Sequence, residues 1–158
     1  MRPASRTYWL VALPSLTEDG ELPLGVYAAS LHEVLNQFGV GSAQRKALTL
    51  RLARVYRVAQ ATGHLARFVV FGSFVTHKLE PQDVDVFLVM ADTFDASHLR
   101  GDARLLFDHD AAQAHFGASV FWVRHLAAWQ NDQAAVEFWQ VKRGGGRRGI
   151  VEIISEAS

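Results

Sequence analysis

Apolar positions change their period repeatedly along the chain. From Ser42 to Thr62, Leu48, Leu52, Val55 and Ala59 recur at helical spacing, which predicts a long helix with one stripe facing a core. Before it, Ser30 reads as the cap of a shorter helix reaching about Phe38, with Glu33 as capping-box partner and Gly39 and Gly41 as the stop. After Gly63 the helical period disappears. Phe68-Val69-Val70-Phe71 and the stretch from Val84 to Met90 are continuous apolar runs, which predict strands buried on both faces. Further on the pattern predicts a helix from about Arg100 to His115 ended by Gly117, and a strand from Ser119 to Val123. A helix from about Ala127 to Trp139 and a last strand from Gly149 to Ile154 follow. Tyr8 to Leu13 is an edge-strand candidate, Thr17 to Glu21 a polar turn, and Leu22-Pro23-Leu24-Gly25 extended chain. The predicted fold is α/β (α+β): a mixed β-sheet of about four to five strands with helices packed against it.

Composition narrows this picture more than it enriches it. A chain of 158 residues suits one domain, with residues 1–41 as an N-terminal extension packed on the core. Sixteen basic residues balance sixteen acidic ones, so no global field draws the protein to nucleic acid or to a membrane. The absence of cysteine excludes disulfides and thiolate zinc sites. The apolar stretch near the N-terminus is short and soon meets Pro14 and Thr17-Glu18-Asp19-Gly20, so neither a signal peptide nor a spanning helix is expected. A bacterial, cytoplasmic protein is the corresponding expectation.

The candidate chemistry sits between and beside the two buried runs. The first run ends in Gly72-Ser73, where a tight turn exposes backbone N–H groups; these, with the Ser73 hydroxyl, suit a phosphate oxygen, and Gly72 removes a Cβ from its path. Asp83 and Asp85 stand two apart at the start of the second run, so their side chains leave the strand on one face roughly 7 Å apart. Two carboxylates placed so repel each other unless a cation or a basic partner intervenes, and Mg²⁺ favours a few carboxylate oxygens together with substrate phosphates. Taken singly, Gly-Ser is a common turn and Asp-x-Asp a common solvated strand entrance. Lys78, between the two halves, is either a further phosphate ligand or a surface lysine.

Together, Phe71-Gly72-Ser73, an interval of ten positions from Ser73 to Asp83, and Asp83-Val84-Asp85 resemble the signature of the nucleotidyltransferase superfamily. That superfamily includes polymerase-beta-like enzymes, antibiotic nucleotidyltransferases and the minimal nucleotidyltransferases of bacterial toxin–antitoxin operons. Within it the chain looks closest to small uncharacterised bacterial proteins, through Leu22 to Gly25, Phe71 to Thr76 and Arg148-Gly149-Ile150-Val151. The resemblance implies that Gly72 and Ser73 hold the triphosphate of a nucleotide. It implies that Asp83 and Asp85 bind Mg²⁺ (or Mn²⁺) while a hydroxyl attacks the α-phosphate and pyrophosphate leaves. It also implies a third carboxylate on a later strand, at or next to Ser119, where this chain has none. Asp102, Asp110 and Glu152 are candidates for a displaced third acid. Without one, the expectation divides between an impaired nucleotidyltransferase, with an unknown acceptor, and a non-catalytic nucleotide-binding or regulatory module of the toxin–antitoxin or phage-defence type.

Remaining features suggest partners. Arg45, Lys46, Arg51, Arg54 and Arg57 lie on one predicted helix without an acid, which suits either a nucleic-acid surface or, preferred here, a solvated face. Arg143, Arg147 and Arg148 around Gly144 to Gly146 suit a phosphate clasp or, preferred, a mobile hairpin turn. The seven histidines show no ligand spacing. Phe121, Trp122, Trp129, Phe138 and Trp139 are expected mostly in the core; any left exposed would mark a surface for a partner protein or a homodimer.

Overall fold

Seven-residue runs rich in valine and phenylalanine form the middle of the protein because each can be buried on two sides. The structure, a computed structural model, describes residues 13–127 and 131–155. In it Leu65–Phe71 forms strand β2 and Val84–Met90 forms β3, paired antiparallel. Ala118–Arg124 forms β4, parallel to β3, and Ile150–Ile153 forms β5, antiparallel to β2. A fifth strand, β1 (Val26–Ala29), pairs in parallel with β5 and completes a mixed five-stranded sheet of order β1-β5-β2-β3-β4. Sequence pattern missed β1: four residues after Pro23 and Gly25 are too few to display a period. Residues 26–29 of the expected extension are therefore part of the sheet itself. The expected strand at Tyr8 to Leu13 and Trp129 lie outside the described residues, Leu13 excepted.

One face of the sheet is covered by a thick helical layer. Helix α1 (Leu31–Phe38) begins with the expected reciprocal box, in which the Ser30 hydroxyl accepts from the Glu33 N–H and Glu33 Oε1 accepts from the Ser30 N–H. Helix α2 (Ala43–Ala61) follows, capped by Ser42. The stripe of Leu48, Leu52, Val55 and Ala59 is fully buried against Phe68, Val70, Val86 and Leu88. Full burial of such a side chain is worth about 1.5–3 kcal/mol, so this stripe alone anchors α2 firmly. The helix expected over Arg100 to His115 is two helices, α3 (Gly101–Leu106) and α4 (His109–Phe116). The break falls at Asp108, whose carboxylate accepts from the Ala111 N–H and caps α4 instead of continuing α3.

The other face is covered thinly. Helix α5 (Asp132–Phe138) begins only after Asn131, whose side chain caps it, and not near Ala127, where a short 3-10 turn (His125–Ala127) stands instead. It packs Val136, with Trp139 beyond it, on Val69, Phe87, Val89 and Ile150. It is also fastened by an ion pair. Arg67, opposite Val89 in β2, donates from Nε to both oxygens of Glu152 (3.1 and 3.2 Å) and from Nη2 to Gln133 of α5, with both charged side chains 1% exposed.

Candidate functional site

The alternation of β3 decides which face carries the chemistry. Val84, Val86, Leu88 and Met90 point into the helical layer, so Asp85 shares the α5 face with Phe87 and Val89. In register, Phe71 of β2 lies opposite Asp85, and Ser119 of β4 lies on its other side. Phe71, Asp85 and Ser119 thus form one row across the sheet, with Gly72 and Asp83 at its margin.

Gly72 is required there by geometry. Its backbone (φ 80°, ψ −165°) lies in a region open essentially to glycine alone, and a Cβ would fall 2.1 Å from Asp85 Oδ2. The space that glycine leaves open is taken by the carboxylate of Asp85, so the two halves of the motif touch. The chain then turns through Ser73–Val75, closed by N–H groups of Val75 and Thr76 donating to the carbonyls of Gly72 and Ser73. The Ser73 hydroxyl makes no hydrogen bond among the described residues.

Asp85 is uncomfortable as an anion. Burial, then the charge of Asp83, push its carboxyl up from 3.8 to about 6; the Ser119 hydroxyl and the positive charges of Arg143 and Arg148 oppose this. Ser119 Oγ stands 3.0 Å from Asp83 Oδ2 and 3.0 Å from Gln113 Oε1. A hydroxyl has one proton, so Ser119 donates to one of the two at a time. The position expected to carry a third carboxylate is therefore beside the pair, and a serine fills it. None of the displaced candidates replaces it. Asp102 binds Arg54 and His115 on the helical side, Glu152 binds Arg67 within the sheet, and Asp110 is exposed. Among the described residues no three His, Cys, Asp or Glu side chains gather as a metal site.

The loop joining the two halves is held by the N-terminus of α2. Arg45, buried on the α2 stripe, uses all five guanidinium N–H groups on the carbonyls of Phe38, Phe74, Thr76 and Lys78. Ser42 Oγ donates to the Leu79 carbonyl (2.7 Å) and Gln44 to that of Pro81 (2.9 Å). Burial draws the Arg45 guanidinium below its usual value, yet an arginine stays charged. Sequence reading had grouped Arg45 with a solvated basic face. The signal that places it inside is its spacing of three from Leu48, on the same stripe. Arg54 is likewise engaged, bound to Asp102 at 2.9 Å and resting 4.8 Å from the Phe116 ring.

Two further groups adjoin the motif. Trp139 packs on Phe71, Phe87 and Phe121 with ring centroids 4.5, 5.2 and 4.9 Å away, and His109 lies 4.9 Å from Phe121. The aromatic residues are not all core, since Phe121 is 37% and Phe138 63% exposed. Next to the Gly-Ser turn, Lys78 is exposed and lines a cleft of about 640 Å³ with Ser73, Thr76, His77, Leu79, Asp19, Glu21 and Arg148, a lining that does not include Asp83 or Asp85. The expected hairpin turn around Gly144 to Gly146 is present, with an antiparallel bridge between Val141 and Arg147 and the Lys142 N–H donating to the Gly146 carbonyl.

Sheet, acid pair and turn define a mixed α/β protein whose polar site lies at one end of its central strands. Residues 14–154 match the family described as a family of unknown function (DUF6932), and the chain belongs to that family. No curated protein and no solved structure matches it. No helix among the described residues is long and apolar enough to cross a membrane.

Proposed function

We propose that the protein is a small nucleotidyltransferase-like domain that binds a nucleoside triphosphate with Mg²⁺ and transfers its nucleoside monophosphate to an acceptor hydroxyl. The observation that carries this reading is the contact between the motif's halves: Asp85 lies over Gly72 while the free Ser73 hydroxyl opens onto a cleft. The donor set suits the ion. Mg²⁺ commonly takes one or two carboxylates and completes its octahedron with phosphate and water, and a cation between Asp83 and Asp85 would offset their mutual repulsion. Asp83 and Asp85 would hold the metal, which when bound supplies positive charge against the phosphates. The Ser73 hydroxyl would hold a phosphate oxygen, with Lys78 at the cleft wall. In the transfer the acceptor oxygen bonds to the α-phosphorus, the bridging bond to the β-phosphate breaks, and pyrophosphate leaves. Ser119 cannot accept the acceptor's proton at neutral pH, so that proton passes to water and the reaction is slow.

Ser119 also favours a second reading, in which the site binds nucleotide without turnover and serves as a regulatory module. Incubation with each radiolabelled NTP and Mg²⁺ or Mn²⁺ separates the two. Label transferred to protein, RNA or small acceptors, and lost in Asp83→Asn and Asp85→Asn, supports the enzyme. Thermal stabilisation by NTP and metal without transfer supports the module. Neither transfer nor stabilisation would end both. The nucleic-acid reading of α2 loses ground because Arg45 is buried and Arg54 is paired.

A further inference from the structure

The hairpin beside the cleft concentrates cations in an unusual way. Lys142 and Arg148, at its base, both bind Glu21: Lys142 Nζ at 3.1 and 3.2 Å from its two oxygens, Arg148 Nη1 at 3.1 Å from Oε2. Glu21 is itself fixed to the Gly-Ser side, since it bridges Thr76 and the neighbouring Gly20 carbonyl accepts from the His77 N–H. The hairpin base is rigid as well. The Arg148 N–H donates to the Gln140 carbonyl and the Gly149 N–H to that of Leu22, and a Cβ on Gly149 would meet the Pro23 carbonyl at 2.2 Å. At the turn the side chains of Arg143 and Arg147 are exposed and make no hydrogen bond or ion pair among the described residues. Arg143 is nonetheless close enough to act electrostatically on Asp85. One carboxylate thus restrains Arg148, which lines the cleft with Ser73 and Lys78, and Lys142 at the hairpin base, while two more cations stand unpaired among the described residues.

We propose that the hairpin Val141–Arg148 is a polyphosphate clasp with Glu21 as its latch: phosphates lying in the cleft take Arg148 and Lys142 over from Glu21, and Arg143 and Arg147 close on them from the turn. Guanidinium forks suit this because they bind phosphate oxygens two at a time, and Gly144, Gly145 and Gly146 let the turn adjust. Glu21 keeps the clasp ordered when no ligand is present and weakens binding of short anions that cannot replace it. This inference rests on reading the cleft as the place of a nucleoside triphosphate, and it adds the residues that would grip its phosphates.

Titration calorimetry at low salt with inorganic tripolyphosphate, without metal, tests the clasp. Arg143→Gln with Arg147→Gln alters only exposed, unpaired side chains, so it leaves the fold intact; affinity should fall about tenfold, in line with the loss of charge-assisted contacts. Arg148→Gln should weaken binding further and Arg148→Lys less, whereas Glu21→Gln, which releases two cations, should tighten it by about three- to tenfold. Wild-type affinity in the arginine variants, or weaker binding in Glu21→Gln, would overturn the clasp. The acid-pair reading is scored separately, by the extra affinity for ATP that Mg²⁺ confers and that Asp83→Asn with Asp85→Asn should abolish. Loss of that increment with tripolyphosphate binding intact would sink the transferase reading alone.

Discussion

The two faces of the sheet differ in depth and in kind. On the helical face, α1 to α4 bury an almost wholly apolar cluster, and its main buried charge, Arg45, is spent on backbone carbonyls. On the α5 face a single two-turn helix and the aromatic group of Phe71, Phe121 and Trp139 cover a few residues, beside a polar set: a buried Arg67–Glu152 pair, the Asp83–Asp85 pair and the hairpin arginines. The helical face is arranged for burial. The α5 face accepts charge repulsion and partial exposure, which stability alone would not select, and such departures mark places where a protein binds or reacts. Substitutions on the first face should therefore cost stability, and the right substitution on the second should add it.

The largest loss is expected for Arg45→Met. It removes the shared donor of four carbonyls around the site loop, three of them (those of Phe38, Phe74 and Thr76) buried, and should cost about 3–5 kcal/mol in urea unfolding. A loss below 1 kcal/mol would show that the carbonyls find water instead. Next comes Leu52→Ala, a truncation at a fully buried position on α2, for which about 3 kcal/mol is expected from the same measurement. Neither variant touches an acid, so residual folded protein should bind Mg²⁺ and nucleotide as before in the leucine variant. In the arginine variant nucleotide affinity should fall with the order of the loop from Thr76 to Gln82.

Much of the helical face could be read from residue order, because a single rule, burial at helical spacing, generates it. The α2 stripe followed from it, while the Ser30 and Ser42 caps followed from local capping and both central strands from continuous apolar runs. Where a competing local interaction won, the pattern misled: Asp108 capped a new helix within an apparently continuous one, and β1 was too short to show a period. The α5 face was less legible because its content depends on pairings distant in sequence. Gly72, Asp85 and Ser119 could be proposed as neighbours from motif and alternation. That Glu152 meets Arg67, or that Glu21 meets Lys142 and Arg148, depends on strand order, which no local pattern carries. Arg45 is the intermediate case, since its stripe position was present in the sequence but its charge argued the other way.

The acid pair gives the opposite sign. A carboxyl whose folded value stands above its unfolded one stabilises the fold below the unfolded value, and that contribution is lost as pH rises through the folded value. For Asp85 the window runs from about pH 4 to about 6. A rise from 3.8 to about 6 is worth at most about 3 kcal/mol, and less here because water reaches the carboxylate, so about 2 kcal/mol is expected. Asp85→Asn should match the wild type near pH 4 and exceed it by about 2 kcal/mol at pH 7, without metal. Glu21 has the reverse sign. Burial alone would raise its carboxyl, but Lys142 and Arg148 bring it below the usual value, so its share is present at neutral pH and lost on acidification. Comparing Asp85→Asn with the wild type at each pH removes that background. A curve for the difference that stays flat from pH 4 to 7 would mean that Asp85 is not held against its charge.

The smallest effect bears most directly on the missing third acid. Ser119→Asp places a carboxylate in the row with Asp85, on the neighbouring parallel strand and within reach of Asp83. Three like charges at one sheet end should cost about 1 kcal/mol in metal-free protein at pH 7, and Mn²⁺ or Mg²⁺ should restore more than is lost. Two melting curves, with and without metal, read both halves of the claim. If the site is an impaired version of a metal-dependent one, the variant gains metal affinity and its transfer rate rises above that of the wild type. If metal leaves the variant as destabilised as before, the row Phe71–Asp85–Ser119 does not converge on a cation. The polar face would then have to be explained by the hairpin and its anions alone.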